Sequence, residues 1–148
     1  MPAIFTIGYE HTTQASVIAA LKCAGVEVLA DIRYLPLSRR PGFSKNSLKA
    51  AVEEAGIGYR HFKHLGTPAE GRAAARRGDQ ATLARVYAGQ LELPEALAQM
   101  AELRELALEK RACLICVERE AAGCHRRLLI EALLADFEEV DLVAELAG

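Results

Sequence analysis

Two short stretches constrain this chain more than any other feature. Val26 to Ile32 is apolar apart from Glu27 and Asp31, and Ala112 to Val117 is apolar throughout. Runs of this length without alternation read as strands covered on both faces, the signature of a parallel sheet. Parallel neighbours cannot be joined by a tight hairpin and need crossover connections, usually helices. The intervening sequence supplies them. Ala3 to Gly8 reads as a first strand, and Thr12 or Thr13 can cap a helix that buries Val17, Ile18, Leu21 and Ala24 and stops at Gly25. Ser44 is placed to cap a second helix, with Phe43 before it and Leu48 four residues inside it in a hydrophobic staple, and Gly56 ends it. Ile57 to Phe62 reads as a third strand, with Lys63 to Pro68 as the loop leaving it. Residues 70 to 89 give one or two short helices, and Pro94 opens a stripe of Leu97, Met100, Leu103 and Leu106. After the loop Glu118 to Gly123, a last helix carries Leu128, Leu129, Ala132 and Leu133, and Val140 to Val143 suits a final strand.

The expectation is an α/β fold: a single three-layer, Rossmann-like domain spanning 1–148, with a mainly parallel sheet of four or five strands and right-handed crossovers. A closed eight-fold barrel would need about 250 residues, against 148 here. With 51% hydrophobic residues, the chain can bury a sizeable core without metal or disulfide staples, so Cys23, Cys113, Cys116 and Cys124 are expected to be thiols. The longest apolar runs fall far short of the roughly 20 residues that span a bilayer, and the start MPAIFTIGYE has no basic leader. A cytoplasmic protein without a membrane partner is expected.

The net charge of −2 hides a segregated distribution. Residues 33–77 hold ten basic and three acidic side chains, and residues 78–148 hold seven basic and fourteen acidic. A basic middle segment suits an anionic partner, either a small molecule or a nucleic acid, unless the charges mix on the folded surface.

The unusual polar residues fall just after the expected strands. Glu10 follows the first, Asp31 and Arg33 end the second, His64 follows the third and Glu118 follows the fourth. In an open parallel sheet these positions share the carboxyl edge, where ligands bind, so residues a hundred positions apart can line one cleft. Loops are polar in any case, so only the repetition points to a site.

The last helix begins Gly123-Cys124-His125-Arg126-Arg127. Helix starts carry partial positive charge, which makes two arginines and a histidine the wrong sign. A bound phosphate would explain them; so would extension into solvent or pairing with Glu118, Glu120 or Glu131. Arg33, Arg39 and Arg40 are candidates to reach the same edge. Cys124, at a helix start among arginines, is a candidate nucleophile or redox thiol, or else a small residue at a tight turn. Cys113 and Cys116, three apart on a strand, point to opposite faces and do not form a ligand pair. Cys116, Cys124 and His125 can offer metal ligands with Glu118, His61 or His64 as a fourth, but the spacing lacks a zinc-finger or ribbon pattern and no metal site is assigned. Asp31 and Arg33 share a strand face, which fits either a structural ion pair or a general base held ionised. Glu10 and Glu118 suit an acid/base pair or a hard divalent cation such as magnesium, leaving the cofactor open. Tyr9, Tyr34 and Phe43 are too few for an extended base-stacking platform. There is no Walker sequence and no GxGxxG after the first strand, which excludes P-loop ATP hydrolysis.

Taken together, IGYE (7–10), DIRYLPLSRRPGFS (31–44), HLG (64–66) and CVEREAAGCHR (116–126) resemble the DUF488 family of small, mainly bacterial proteins, over almost the full chain. The resemblance implies a compact α/β domain with Glu10, Asp31, Arg33, Ser38, His64, Glu118, Cys124, His125 and Arg126 as its characteristic polar positions, and it implies no reaction. The leading expectation is a hydrolase or group transferase for a phosphate-bearing substrate such as a nucleotide or nucleic acid. In it Asp31, Glu10, Glu118 or Cys124 supplies the chemistry, and Arg33, Ser38, Arg39, Arg40, His64, His125 and Arg126 supply binding. A non-catalytic nucleotide- or nucleic-acid-binding module is the alternative, and a thiol or metal protein centred on Cys124 is a third.

Overall fold

A computed structural model describes residues 2–119 and 123–147, so the expected loop Glu118 to Gly123, with Glu120, lies partly outside the described residues. The elements run β1 (Ala3–Gly8), α1 (Gln14–Cys23), β2 (Val28–Asp31), α2 (Lys45–Glu54), β3 (Gly58–His61), a 3-10 turn (Lys63–Leu65), α3 (Ala69–Arg76), α4 (Gln80–Leu91), α5 (Pro94–Glu109), β4 (Ala112–Cys116), α6 (His125–Leu133) and β5 (Glu138–Leu142). The five strands form one parallel sheet in the order β3-β2-β4-β1-β5. The α/β architecture and the parallel sheet expected from the apolar runs are present, with helices on both faces. The final strand begins two residues earlier than its apolar stretch and is half exposed, as suits an edge.

Each face of the sheet closes over its own core. On one side Val17 and Leu21 of α1 and Leu48 and Val52 of α2 pack on Phe5, Ile7, Leu29, Cys113 and Ile115. On the other, Tyr87 of α4, Leu103 of α5 and Leu129 of α6 pack on Ile4, Val28, Ala30 and Leu114. Cys113 and Cys116 fall into opposite cores, as strand alternation requires. The staple residues Phe43 and Leu48 are both fully buried in the first core. Thr13 caps α1 by accepting from the Ser16 backbone N–H. Ser44 precedes α2 without a side-chain cap bond, because its hydroxyl is joined to the Ser38 backbone instead. Among the described residues no helix is long and apolar enough to cross a membrane.

The topology creates a divergence at the carboxyl edge. The chain leaving β2 turns to the face covered by α1 and α2, whereas the chain leaving β4 turns to the face covered by α6. β2 and β4 are neighbours, so their outgoing loops part and leave a crevice between them, the position where open α/β sheets bind ligands. Two glycines allow the loops to approach. A Cβ on Gly8 would fall on the Glu118 carbonyl, and one on Gly66 would fall on the Tyr34 backbone. The IGYE and HLG motifs therefore hold the loops after β4 and β2 in place.

Candidate functional site

The crevice contains a small cavity of about 50 Å³ lined by Arg33, Tyr34 and Leu35 after β2, Cys116, Val117 and Glu118 after β4, His125 of α6, and Thr67 and Arg72 around the start of α3. Its floor is a buried cluster. Cys116 ends β4 and Cys124 is the N-cap of α6, where its sulfur accepts from the Arg126 backbone N–H at 3.5 Å. The two sulfurs meet as a bonded pair, with Cα atoms 7.7 Å apart. The expectation of four thiols is thereby corrected: Cys23 and Cys113 are free, while Cys116 and Cys124 are joined. The reason is topological, since the N-cap of α6 lies against the end of β4, the strand that precedes it in the chain.

His125 completes the cluster. Its Nε2 lies 2.7 Å from the Ile32 carbonyl, an acceptor only, so Nε2 carries the proton and Nδ1 presents a lone pair 3.6 Å from the Cys124 sulfur. Complete burial lowers its pKa to about 4, against a smaller upward pull from that carbonyl bond, so the ring is neutral at pH 7. One ligand atom from each of Cys116, Cys124 and His125 lies within 4.8 Å of the others. A Glu118 carboxylate oxygen stands 3.7 Å from the Cys116 sulfur. Burial raises the Glu118 pKa, outweighing the opposing charge of Arg126, and Glu10 adds to the rise.

Asp31 and Arg33 meet each other. Arg33 donates from Nε to Oδ1 at 2.8 Å and from Nη2 to Oδ2 at 2.7 Å, and both side chains are almost completely buried. Tyr59 Oη also donates to Asp31, while Arg33 Nη1 donates to the Phe43 carbonyl and to Tyr9 Oη. Burial alone would lower the Arg33 pKa, but the hydrogen bonds and charge of Asp31 reverse it and the net shift is upward. The pair thus ties the end of β2 to β3 and to the loop before α2.

Arg126 is also turned into the chain, though its Nε has no partner among the described residues. Its guanidinium donates to Thr6 Oγ1 of β1 at 3.2 Å and to the Glu118 carbonyl after β4 at 2.7 Å. Burial lowers the Arg126 pKa, and the surrounding charges of Cys113, Asp141, Glu118 and Glu139 oppose that shift without reversing it. This accounts for an arginine in the first turn of α6 without placing it against a ligand.

The remaining expected residues scatter along the edge. Ser38 and Arg40 organise the β2–α2 loop: Arg40 N–H donates to Ser38 Oγ, and its guanidinium donates to the Thr12 carbonyl. Arg39 is exposed. His64 is held through its backbone by Gln99 and Gln90. Glu10 lies outside the cavity lining, half exposed, with one oxygen 3.4 Å from the Arg119 backbone N–H.

Two cations line the cavity, Arg33, which is committed to Asp31, and Arg72; neither Arg72 nor its neighbour Lys63, which lies outside the lining, was singled out from sequence. Both stand over the Tyr34 ring, Lys63 Nζ at 4.3 Å and Arg72 Cζ at 5.9 Å from its centroid. Thr67, also in the lining, is buried, with a hydroxyl that has no partner among the described residues. The net positive charge of residues 33–77 was the one sequence signal pointing to Lys63 and Arg72.

No curated protein and no solved structure matches this chain. The family described as "Domain of unknown function DUF488" matches residues 13–133, from the cap of α1 to the end of α6, and so takes in the cluster and the crevice together. With a match of that extent, the chain belongs to the DUF488 family.

Proposed function

We propose that the protein is an enzyme, a hydrolase or group transferase, acting on a small substrate with an oxyanion of the phosphate class bound in the crevice between β2 and β4. The observation that carries this reading is the pairing of two unlike walls at the switch point. One offers Arg72, with Lys63 beside it on the Tyr34 ring; the other offers Glu118 over the Cys116–Cys124–His125 cluster. Cations stacked on an aromatic face are held in place for an anion. Burial raises the Glu118 pKa above the ordinary carboxylate range, and its place in the lining puts it beside a bound substrate as a candidate proton donor or acceptor.

Size narrows the substrate. Pockets for drug-sized ligands run to roughly 300–1,000 Å³, whereas this cavity is about 50 Å³. It suits the anionic group of a substrate and leaves the rest outside. Nucleic-acid binding along the basic segment is less favoured, because Arg60 and Arg77 of that segment form ion pairs with Glu102 and Asp79.

The test is equilibrium binding of inorganic phosphate, together with turnover of a panel of phosphate monoesters, diesters and nucleotides. Arg72→Ala is expected to weaken phosphate binding about tenfold, the scale of one charged hydrogen bond, and Lys63→Ala, outside the lining, to weaken it less. Glu118→Gln is expected to retain affinity and lose turnover. Binding without turnover across the panel would favour a non-catalytic module, and absence of both would overturn the proposal.

A further inference from the structure

The buried cluster beneath the crevice has a chemistry of its own. Two sulfurs and one imidazole nitrogen, each from a residue at most 6% exposed, converge within 4.8 Å. His125 is already oriented as a ligand, because its Nε2–H is committed to the Ile32 carbonyl and its Nδ1 is turned to the sulfurs. A hydrogen bond from the distal nitrogen to a backbone carbonyl is the usual outer support of a metal-bound histidine, fixing tautomer and ring plane. The two cysteine Cα atoms stand 7.7 Å apart, wider than the roughly 4.4–6.8 Å that disulfides ordinarily span. Two thiolates converging on a common ion between them tolerate this wider spacing.

We infer that, in its reduced form, the chain binds one zinc-class divalent ion through Cys116 Sγ, Cys124 Sγ and His125 Nδ1, with the fourth position open to the crevice beside Glu118. Two soft sulfur donors and an imidazole select zinc or cobalt over magnesium or calcium, which favour oxygen. Three protein ligands with an open position is the arrangement of a reactive rather than a purely structural site. The Glu118 carboxylate, 3.7 Å from the Cys116 sulfur, stands where it can bond a water on the ion. The thiol pair balances as follows: two equivalents of a thiol reductant deliver two electrons and two protons to the Cys116–Cys124 bond, yielding two thiols and the oxidised reductant. The incoming ion then displaces the two thiol protons, and neutral His125 releases none.

The inference deepens the proposed function but is measured without substrate. The full chain is purified under thiol reductant, loaded with zinc or cobalt, desalted, and analysed for metal content and for the visible spectrum of the cobalt form. One ion per chain is expected, with a sulfur-to-cobalt charge-transfer band and tetrahedral-type ligand-field bands. Cys116→Ser and Cys124→Ser should each lower affinity at least tenfold, while Cys23→Ser, at an exposed position away from the site, leaves the stoichiometry unchanged. The wild-type cobalt spectrum needs no variant, so a misfolded serine variant does not blunt the test. A reduced chain that retains no ion, or a cobalt spectrum lacking sulfur charge transfer, would overturn the inference. Phosphate binding without metal would defeat this inference alone, and metal binding without phosphate affinity or turnover would defeat the substrate reading alone.

Discussion

Arg33 grips Asp31 with two parallel hydrogen bonds, Nε to Oδ1 at 2.8 Å and Nη2 to Oδ2 at 2.7 Å, at the end of β2 and out of reach of water. A buried pair of this kind is held by mutual dependence: removing one member strands the other's charge in a medium that solvates it poorly. Asp31→Asn or Arg33→Met should therefore cost about 3–5 kcal/mol, read by urea denaturation. The double replacement should cost less than the two single losses combined, because it leaves no orphaned charge. An Asp31→Asn protein as stable as the parent would show that the ion pair does not hold the β2 end.

Arg126 offers a contrasting test. Its guanidinium joins Thr6 Oγ1 and the Glu118 carbonyl, so Arg126→Lys, which keeps the charge but not the forked geometry, should lower stability by about 1.5–3 kcal/mol. Phosphate affinity should change less than in Arg72→Ala, because Arg126 does not line the cavity. A larger loss of affinity in Arg126→Lys than in Arg72→Ala would move the anion site from α3 to α6.

Gly8 sits where β1 passes the loop after β4, and a methyl group there would overlap the Glu118 carbonyl. Backbone cannot give way as a flexible side chain can, so Gly8→Ala should cost at least the 1–3 kcal/mol typical of overpacking. It should also displace Glu118 and weaken metal loading. Thermal melts and cobalt titration of the same preparation would report both effects.

Alkaline pH should destabilise the fold through its buried tyrosines. Burial raises the Tyr87 pKa, and its hydroxyl donates to the Leu65 carbonyl at 2.6 Å; Tyr59 is raised by burial and by the Asp31 charge. The unfolded chain loses these protons near pH 10 while the folded chain keeps them. Above that pH the unfolded state binds fewer protons, so stability falls as pH rises. Denaturation midpoints should be insensitive to these two groups below about pH 9 and decline above pH 10. Tyr87→Phe should lose about 1 kcal/mol at pH 7 but show a shallower decline. An unchanged alkaline slope in that variant would remove Tyr87 as a cause.

Much of the scaffold was readable in one dimension because its signals are local. The apolar runs of β2 and β4, the Thr13 cap and the Phe43–Leu48 staple depend on neighbours a few residues away, and each is found in its expected place. The site was readable only in outline. Asp31 and Arg33, two apart on one strand face, satisfy the spacing of an ion pair and of a ligand-binding couple equally well. In the fold, Tyr59, Tyr9 and Phe43 arrive from other elements and add hydrogen bonds to the pair, which spacing alone does not foretell. Lys63 and Arg72 were lost among ten basic residues in their segment because nothing in sequence marks which cations stand over Tyr34.

The sequence by itself determined that strands and helices alternate, which faces of them are apolar, and that polar residues gather after the strands, since these follow from backbone periodicity and the cost of burying uncompensated polarity. Only the tertiary structure decided that β4 inserts between β2 and β1, and that choice sets His125 against the Ile32 carbonyl and opens the crevice beside Arg72. Strand order is set by how two cores close simultaneously on opposite faces of one sheet, a requirement spread over the whole chain that no short stretch of it carries.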